Sequence, residues 1–126
     1  MRKQATRIKV SEHMLQTQII NYLRYKGWYC MRLNTGKFSV GEGRQKRFIM
    51  GQEAGTPDIV AFRKIFMPVS PVHMLEAKQL QLIFVEVKVP GNKPTLLQRE
   101  KMKELEEYGA VCIVAHGIED LENYGI

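Results

Sequence analysis

The chain has 126 residues, of which 44% are hydrophobic, 9% aromatic and 25% charged, the size and composition of one ordinary globular domain. That excludes a disordered chain, a collagen-like repeat and a disulfide-dense miniprotein, and a domain of this length buries roughly two-thirds of its unfolded surface, enough for one core. No apolar run approaches the roughly 20 residues of a membrane span, and the polar start MRKQATRIK lacks a signal-peptide core, so we expect no membrane and a cytoplasmic location.

Nineteen Lys/Arg against 13 Asp/Glu give a net charge of +6. Residues 1–64 carry 13 basic and 4 acidic side chains (+9), and residues 65–126 carry 6 basic and 9 acidic (−3). A basic half of this kind suits a polyanion, because each neutralised phosphate releases counterions. Cys30 and Cys112 each lie in an apolar segment with no CxxC, which predicts reduced thiols rather than a disulfide or a zinc site. His13, His73 and His116 have no metal-ligand spacing.

In chain order, residues 1–10 form a basic leader, and Ser11 N-caps a helix with apolar Met14, Leu15, Ile19, Ile20 and Leu23. Gly27 ends it. Residues 28–33 (WYCMRL) predict a strand stopped by the turn residues 34–36, and residues 38–40 start a second. Residues 41–57, with four glycines and the cluster Arg44, Lys46 and Arg47, predict a long mobile loop that contacts phosphates. Residues 58–62 (DIVAF) predict a buried strand. Residues 63–80, with prolines at 68 and 71, fit no single element. Residues 82–89 (LIFVEVKV) form the strongest strand. Residues 95–108 predict an amphipathic helix with Leu96, Leu97, Met102 and Leu105 on one side, closed by Gly109. A strand at 111–115 and a short helix at 118–124 follow. The sum is an α/β fold with a central mixed sheet flanked by helices.

Glu86 and Lys88 share one face of the strongest strand, where an unpaired charge among apolar neighbours is costly. With the Asp58 strand beside it, two carboxylates and a lysine converge. That set suits Mg²⁺, which takes one or two carboxylates and leaves room for a phosphate oxygen. Each residue alone has an ordinary role. Glu76-Ala77-Lys78 repeats the Glu-x-Lys pattern, Thr56-Pro57-Asp58 is turn chemistry, Gln98 completes a capping box with Thr95, and Glu12 complements a helix dipole.

Their order along the chain says more. Ser11-Glu12, Leu15-Gln16, Tyr22-Leu23, Gly27-Trp28, Gly55-Thr56-Pro57-Asp58-Ile59-Val60, Val85-Glu86-Val87-Lys88-Val89-Pro90-Gly91-Asn92-Lys93-Pro94 and Leu97-Gln98 together resemble the virus-type replication–repair nucleases. These are a branch of the PD-(D/E)xK phosphodiesterases, with an αβββαβ core. The resemblance spans residues 11 to about 116 and departs at 63–80, where the family pattern has a shorter hairpin. It implies a Mg²⁺- or Mn²⁺-dependent DNA endonuclease. Asp58, Glu86 and the Val87 carbonyl would be metal ligands, and Lys88 would orient the attacking water. Gln98 would position Lys88 or that water, and Glu12 would be a further carboxylate. Lys93 would join Arg44, Lys46 and Arg47 on DNA. Standalone members look like dimeric resolvases of four-way junctions, typical of phages and bacteria, so a homodimer is expected. The apolar surplus Ile65, Phe66, Met67, Val69, Val72, Met74 and Leu75 is a candidate interface; the other reading folds it over its own sheet. The alternatives are a flap or nicking nuclease without junction preference, and a catalytically idle DNA-binding module.

Overall fold

The computed structural model describes residues 9–33, 37–45, 47–50, 53–70 and 75–126. Ser11 accepts the Met14 N–H at 3.1 Å and starts α1, Glu12–Tyr25. Leu15, Ile19, Ile20 and Leu23 are buried at helical spacing. Met14, expected among them, is exposed, because it stands in the first turn off the i, i+4 stripe. After Gly27 at φ 90°, β1 runs Tyr29–Arg32.

The segment 41–57 departs from the expected single loop. Strand β2 (Lys37–Val40) pairs antiparallel with β3 (Arg47–Met50), joined through a short 3-10 turn at Gly43–Gln45. Glycines at 41 and 43, both at positive φ, close that hairpin, and their abundance is what reads as loop in the sequence. Residues 63–70 and 75–80 likewise belong to strands. β4 (Ile59–Ser70) and β5 (Leu75–Val87) form one long antiparallel hairpin, with the register Ile59 to Val85 through Pro68 to Glu76 and a shift between Pro68 and Ser70. Pro68 sits where the register breaks, as a residue without an N–H must in a ladder. Strand β5 ends at Val87 rather than at residue 89.

Thr95 and Gln98 form a complete capping box that starts α2, Leu96–Glu107. Leu96 and Leu97 are largely exposed and Met102 alone is buried on this helix, so the expected apolar side is narrower than its spacing implies. Strand β6 (Val111–Ala115) then pairs parallel to β5, and α3 (Ile118–Asn123) follows.

The result is a small single-domain α/β protein which, among the described residues, has three helices and a four-stranded mixed sheet ordered β1-β4-β5-β6 beside the two-stranded β2-β3 sheet. Ile19 and Leu23 of α1 and Leu121 of α3 pack on Ile59, Ile83, Val85, Val87, Ile113 and Ala115 of the sheet. The Tyr22 hydroxyl donates to the Ile126 carbonyl at 2.7 Å and ties α1 to the chain end. No helix among the described residues is long and apolar enough to cross a membrane. Both cysteines are free thiols.

Candidate metal centre

Strand alternation sends Val85 and Val87 into the core cluster and leaves Glu86, between them, out of it. One step past the Ile59–Val85 pair, Asp58 comes level with Glu86. The Val87 N–H donates to Asp58 Oδ2 at 2.8 Å, which fixes that carboxylate beside the strand. Glu12, the first residue of α1, arrives from a third element. Carboxylate oxygens of Glu12, Asp58 and Glu86 all lie within 4.8 Å of one another. The Lys88 ammonium is 3.4 Å from Glu86 Oε1.

The loop leading to Asp58 is clamped on α2. A Cβ on Gly55, which sits at φ +86°, would lie 2.9 Å from the Leu97 carbonyl oxygen, so only glycine permits this approach. Lys101 of α2 pairs with Glu53 at 2.6 Å, and the Thr56 hydroxyl donates to the Glu53 carbonyl at 2.6 Å. This is the physical content of the Gly-x-Pro-Asp pattern, with Pro57 fully buried behind it.

Glu86 is 1% exposed, and neither of its oxygens has a hydrogen-bond partner among the described residues. The 3.4 Å approach of Lys88 is a charge contact without hydrogen-bond geometry. Burial and the neighbouring Asp58 charge push the Glu86 carboxyl up to about 7 against the pull of Lys88, and Glu12 adds to the rise. Burial also raises Asp58, although the Val87 N–H, Lys88 and Arg32 oppose it. Three carboxylates facing one ammonium leave excess negative charge with two bare oxygens, an arrangement that a hard divalent cation satisfies. The donor set is all oxygen, as Mg²⁺ and Mn²⁺ prefer, with no soft ligand in the group.

The structure therefore brings Glu12, Asp58, Glu86 and Lys88 together, with the Val87 backbone between the last two. Gln98 is engaged locally, its Oε1 accepting the Thr95 N–H at 2.9 Å, and no hydrogen bond joins it to Lys88 among the described residues. Lys93 is exposed in the turn before α2, Arg44 lies exposed in the 3-10 turn and Arg47 begins β3. Lys46 lies outside the described residues. Arg32 is the neighbour that the sequence does not announce. Its Nη1 reaches His13 Nδ1 at 3.4 Å and its Nη2 donates to Thr17 Oγ1 at 3.2 Å, and its charge is felt at Asp58. The one available signal is a single arginine closing an otherwise apolar strand.

Neither protein-family models nor curated proteins yield a match to this chain.

Proposed function

We propose that this protein is a Mg²⁺- or Mn²⁺-dependent DNA endonuclease built on a PD-(D/E)xK-type core of the virus-type replication–repair branch, acting on four-way junctions. The observation that carries the reading is the convergence of Glu12, Asp58 and Glu86 within 4.8 Å, with Lys88 3.4 Å from the buried Glu86. Those four residues come from three stretches of chain far apart in sequence, and they are among the ones the motif resemblance singles out, Gln98 being the one that stays in its capping box.

In this reading Asp58 and Glu86 hold the cation, the Val87 carbonyl adds a ligand, and Glu12 supplies a further carboxylate. A divalent ion held there would supply positive charge for the phosphate and would lower the pKa of a water. Lys88 holds the attacking water by donating to it and stabilises charge growing on the phosphate. Asp58 keeps its orientation through the Val87 N–H.

The active unit in this proposal is a homodimer, since two matched cuts need two sites and each chain supplies one. The β4–β5 hairpin supports it. β1 pairs with residues 59–62 and β6 with residues 83–87, so among the described residues the hairpin from Arg63–Gln81 outward is a two-stranded ribbon. Such a ribbon is marginal alone in water. Of the apolar surplus expected there, Ile65 is half-buried, the side chains of Phe66, Met67, Val69 and Leu75 are not described, and Val72 and Met74 lie outside the described residues.

Incubating four-way, flap and linear duplex DNA with the protein in Mg²⁺, with EDTA as control, tests the activity. Metal-dependent paired cuts across the four-way junction are expected. No cutting of any substrate in Mg²⁺ or Mn²⁺ overturns the reading.

A further inference from the structure

Beside the carboxylates lies a groove that none of the roles above uses. It has a volume of about 240 Å³ and is lined by Thr17, Ile20, Asn21, Arg24 and Arg32. The four α1 residues follow i, i+3, i+4, i+7 spacing, which aligns them along one helix face. Arg32 of β1 forms the facing wall and is held there by its contacts to Thr17 and His13. A guanidinium can only donate, so His13 accepts through Nδ1.

The groove has a definite relation to the metal centre. His13 follows Glu12 in α1, and the Leu33 N–H, next to Arg32, donates to the Asp58 carbonyl at 2.7 Å. The Arg32 end therefore lies near enough to Asp58 for its charge to act there, and its His13 partner is the residue after Glu12. Arg24 stands seven residues beyond Thr17, about 10 Å further along the helix axis at 1.5 Å per residue. That is roughly the axial advance of three phosphates on one DNA strand at 3.4 Å each.

Both arginines are exposed, and neither is within ion-pair distance of a carboxylate among the described residues. Arg24 lies in the last turn of α1, where a cation also complements the helix dipole. Arg32, on a strand, has no such role. Two guanidiniums without a carboxylate partner among the described residues face one polar groove; Arg32 gives one N–H each to His13 and Thr17 and keeps its remaining N–H groups, as Arg24 does, for phosphate oxygens.

We propose that this groove holds the backbone phosphates flanking the scissile one on the strand being cut, Arg32 taking the nearer and Arg24 the farther. The assignment rests on the nuclease reading for its substrate. It gives the strand a direction of approach: along α1, away from the carboxylates.

The test is binding of a fluorescent DNA duplex in EDTA, read by anisotropy across a salt series, for wild type, an Arg24→Gln/Arg32→Gln pair and an Arg24→Lys/Arg32→Lys pair. The Gln pair is expected to lower affinity about tenfold and to reduce the log–log salt slope by about 1.8, two contacts at 0.9 each. The Lys pair, which keeps both charges, is expected to keep the slope. Mn²⁺ affinity, measured by calorimetry without DNA, should not fall in either pair, since removing the Arg32 charge felt at Asp58 only relieves repulsion of a cation. An unchanged slope in the Gln pair overturns the proposal, as does a slope lost equally in the Lys pair. An effect confined to 5′-phosphorylated ends would assign the groove to a terminal phosphate and overturn the backbone assignment. Wild type that cuts no DNA while the Gln pair loses affinity and slope refutes the nuclease reading and leaves the groove standing. Wild-type cutting and binding retained in the Gln pair does the reverse.

Discussion

The Val87 N–H donates to Asp58 Oδ2 at 2.8 Å, so the residue between Glu86 and Lys88 fixes the carboxylate of the neighbouring strand. The end of β5 and the residue after it thus place all three groups: Glu86 and Lys88 by alternation along extended backbone, Asp58 by a backbone hydrogen bond. Asp58→Asn keeps an acceptor oxygen for that N–H and removes the charge that holds a cation. We expect little change in Tm, a loss of Mn²⁺ affinity of roughly 100-fold or more, and no cleavage. Asp58→Ala leaves the amide unpaired, at a cost of about 1–3 kcal/mol, and should lower Tm as well. Thermal melts beside calorimetric Mn²⁺ titration separate the two; full Mn²⁺ affinity in Asp58→Asn would remove Asp58 from the site.

The buried Glu86 makes the metal-free protein pH-sensitive. Its carboxyl is raised from an ordinary 4.5 to about 7, so the folded state keeps a proton that the unfolded chain gives up. The stability this contributes is complete below about pH 4.5 and is lost as pH rises through about 7. Asp58, raised by burial, adds in the same direction. In EDTA, the Tm of the wild type should therefore fall between pH 5 and 8 relative to that of Glu86→Gln, which stays neutral. At pH 8 Glu86→Gln should melt higher than wild type without metal, and Mg²⁺ should raise only the wild type. Parallel Tm–pH curves for the two proteins would contradict the buried proton.

Why some of this was legible in the sequence follows from range. Ser11, Thr95 and Gln98 act within three or four residues, and their caps form as the spacing predicts. Glu86 stands out because a carboxylate inside an apolar strand has no ordinary place there, and it is buried without a hydrogen bond among the described residues. The joining of Glu12 to Asp58 and Glu86 depends on how α1 crosses the sheet, so only the motif order hinted at it. Residues 63–70 and 75–80 are opaque in the sequence because the prolines at 68 and 71 argue against strand, while the observed pairing is set by the partner strand rather than by propensity. The β2–β3 hairpin hid behind glycines that serve its turn. Arg32 was missed because its partners, His13 and Thr17, lie on a different element.

Gly55 should be the least replaceable glycine near the site. Its φ of +86° disfavours any side chain, and a Cβ would meet the Leu97 carbonyl oxygen at 2.9 Å. Gly91 has a similar φ of +93° and nothing within 4 Å of its Cβ position. Gly91→Ala should carry only the conformational cost, about 1–2 kcal/mol. Gly55→Ala must also push the Asp58 loop off α2, so its Tm should fall further and its Mn²⁺ affinity should drop. Equal Tm losses in the two variants would mean that the loop yields freely.

Gln98 has a structural role on the page and a proposed catalytic one, and Thr95 separates them. Both side chains belong to the capping box, and removing either should cost about 0.5–2 kcal/mol. Thr95→Ala loses the cap while keeping the Gln98 side chain. Gln98→Ala loses the cap and any help given to Lys88 or the attacking water. Equal stability loss with a slower cleavage rate in Gln98→Ala is the expected result. Equal rates would confine Gln98 to the helix start.

The last prediction concerns the second Glu-x-Lys pair. Glu76 and Glu86 lie on the same strand β5, ten residues apart, and at about 3.3 Å per residue that is roughly 33 Å. Glu76 pairs in register with Pro68 near the far end of the hairpin, whereas Glu86 lies level with Asp58 and pairs with Val114 of β6. One cation cannot reach across that span, since carboxylate oxygens bind Mg²⁺ at about 2.1 Å. Glu76→Ala should therefore leave Mn²⁺ affinity and cleavage within about twofold of wild type, while Glu86→Ala abolishes both. The comparison is sharper than either variant alone, because both delete a glutamate two residues before a lysine on one strand. A Glu76 variant as inactive as the Glu86 variant would move the active pair to the hairpin tip, and the cluster with Glu12 would then be a structural site.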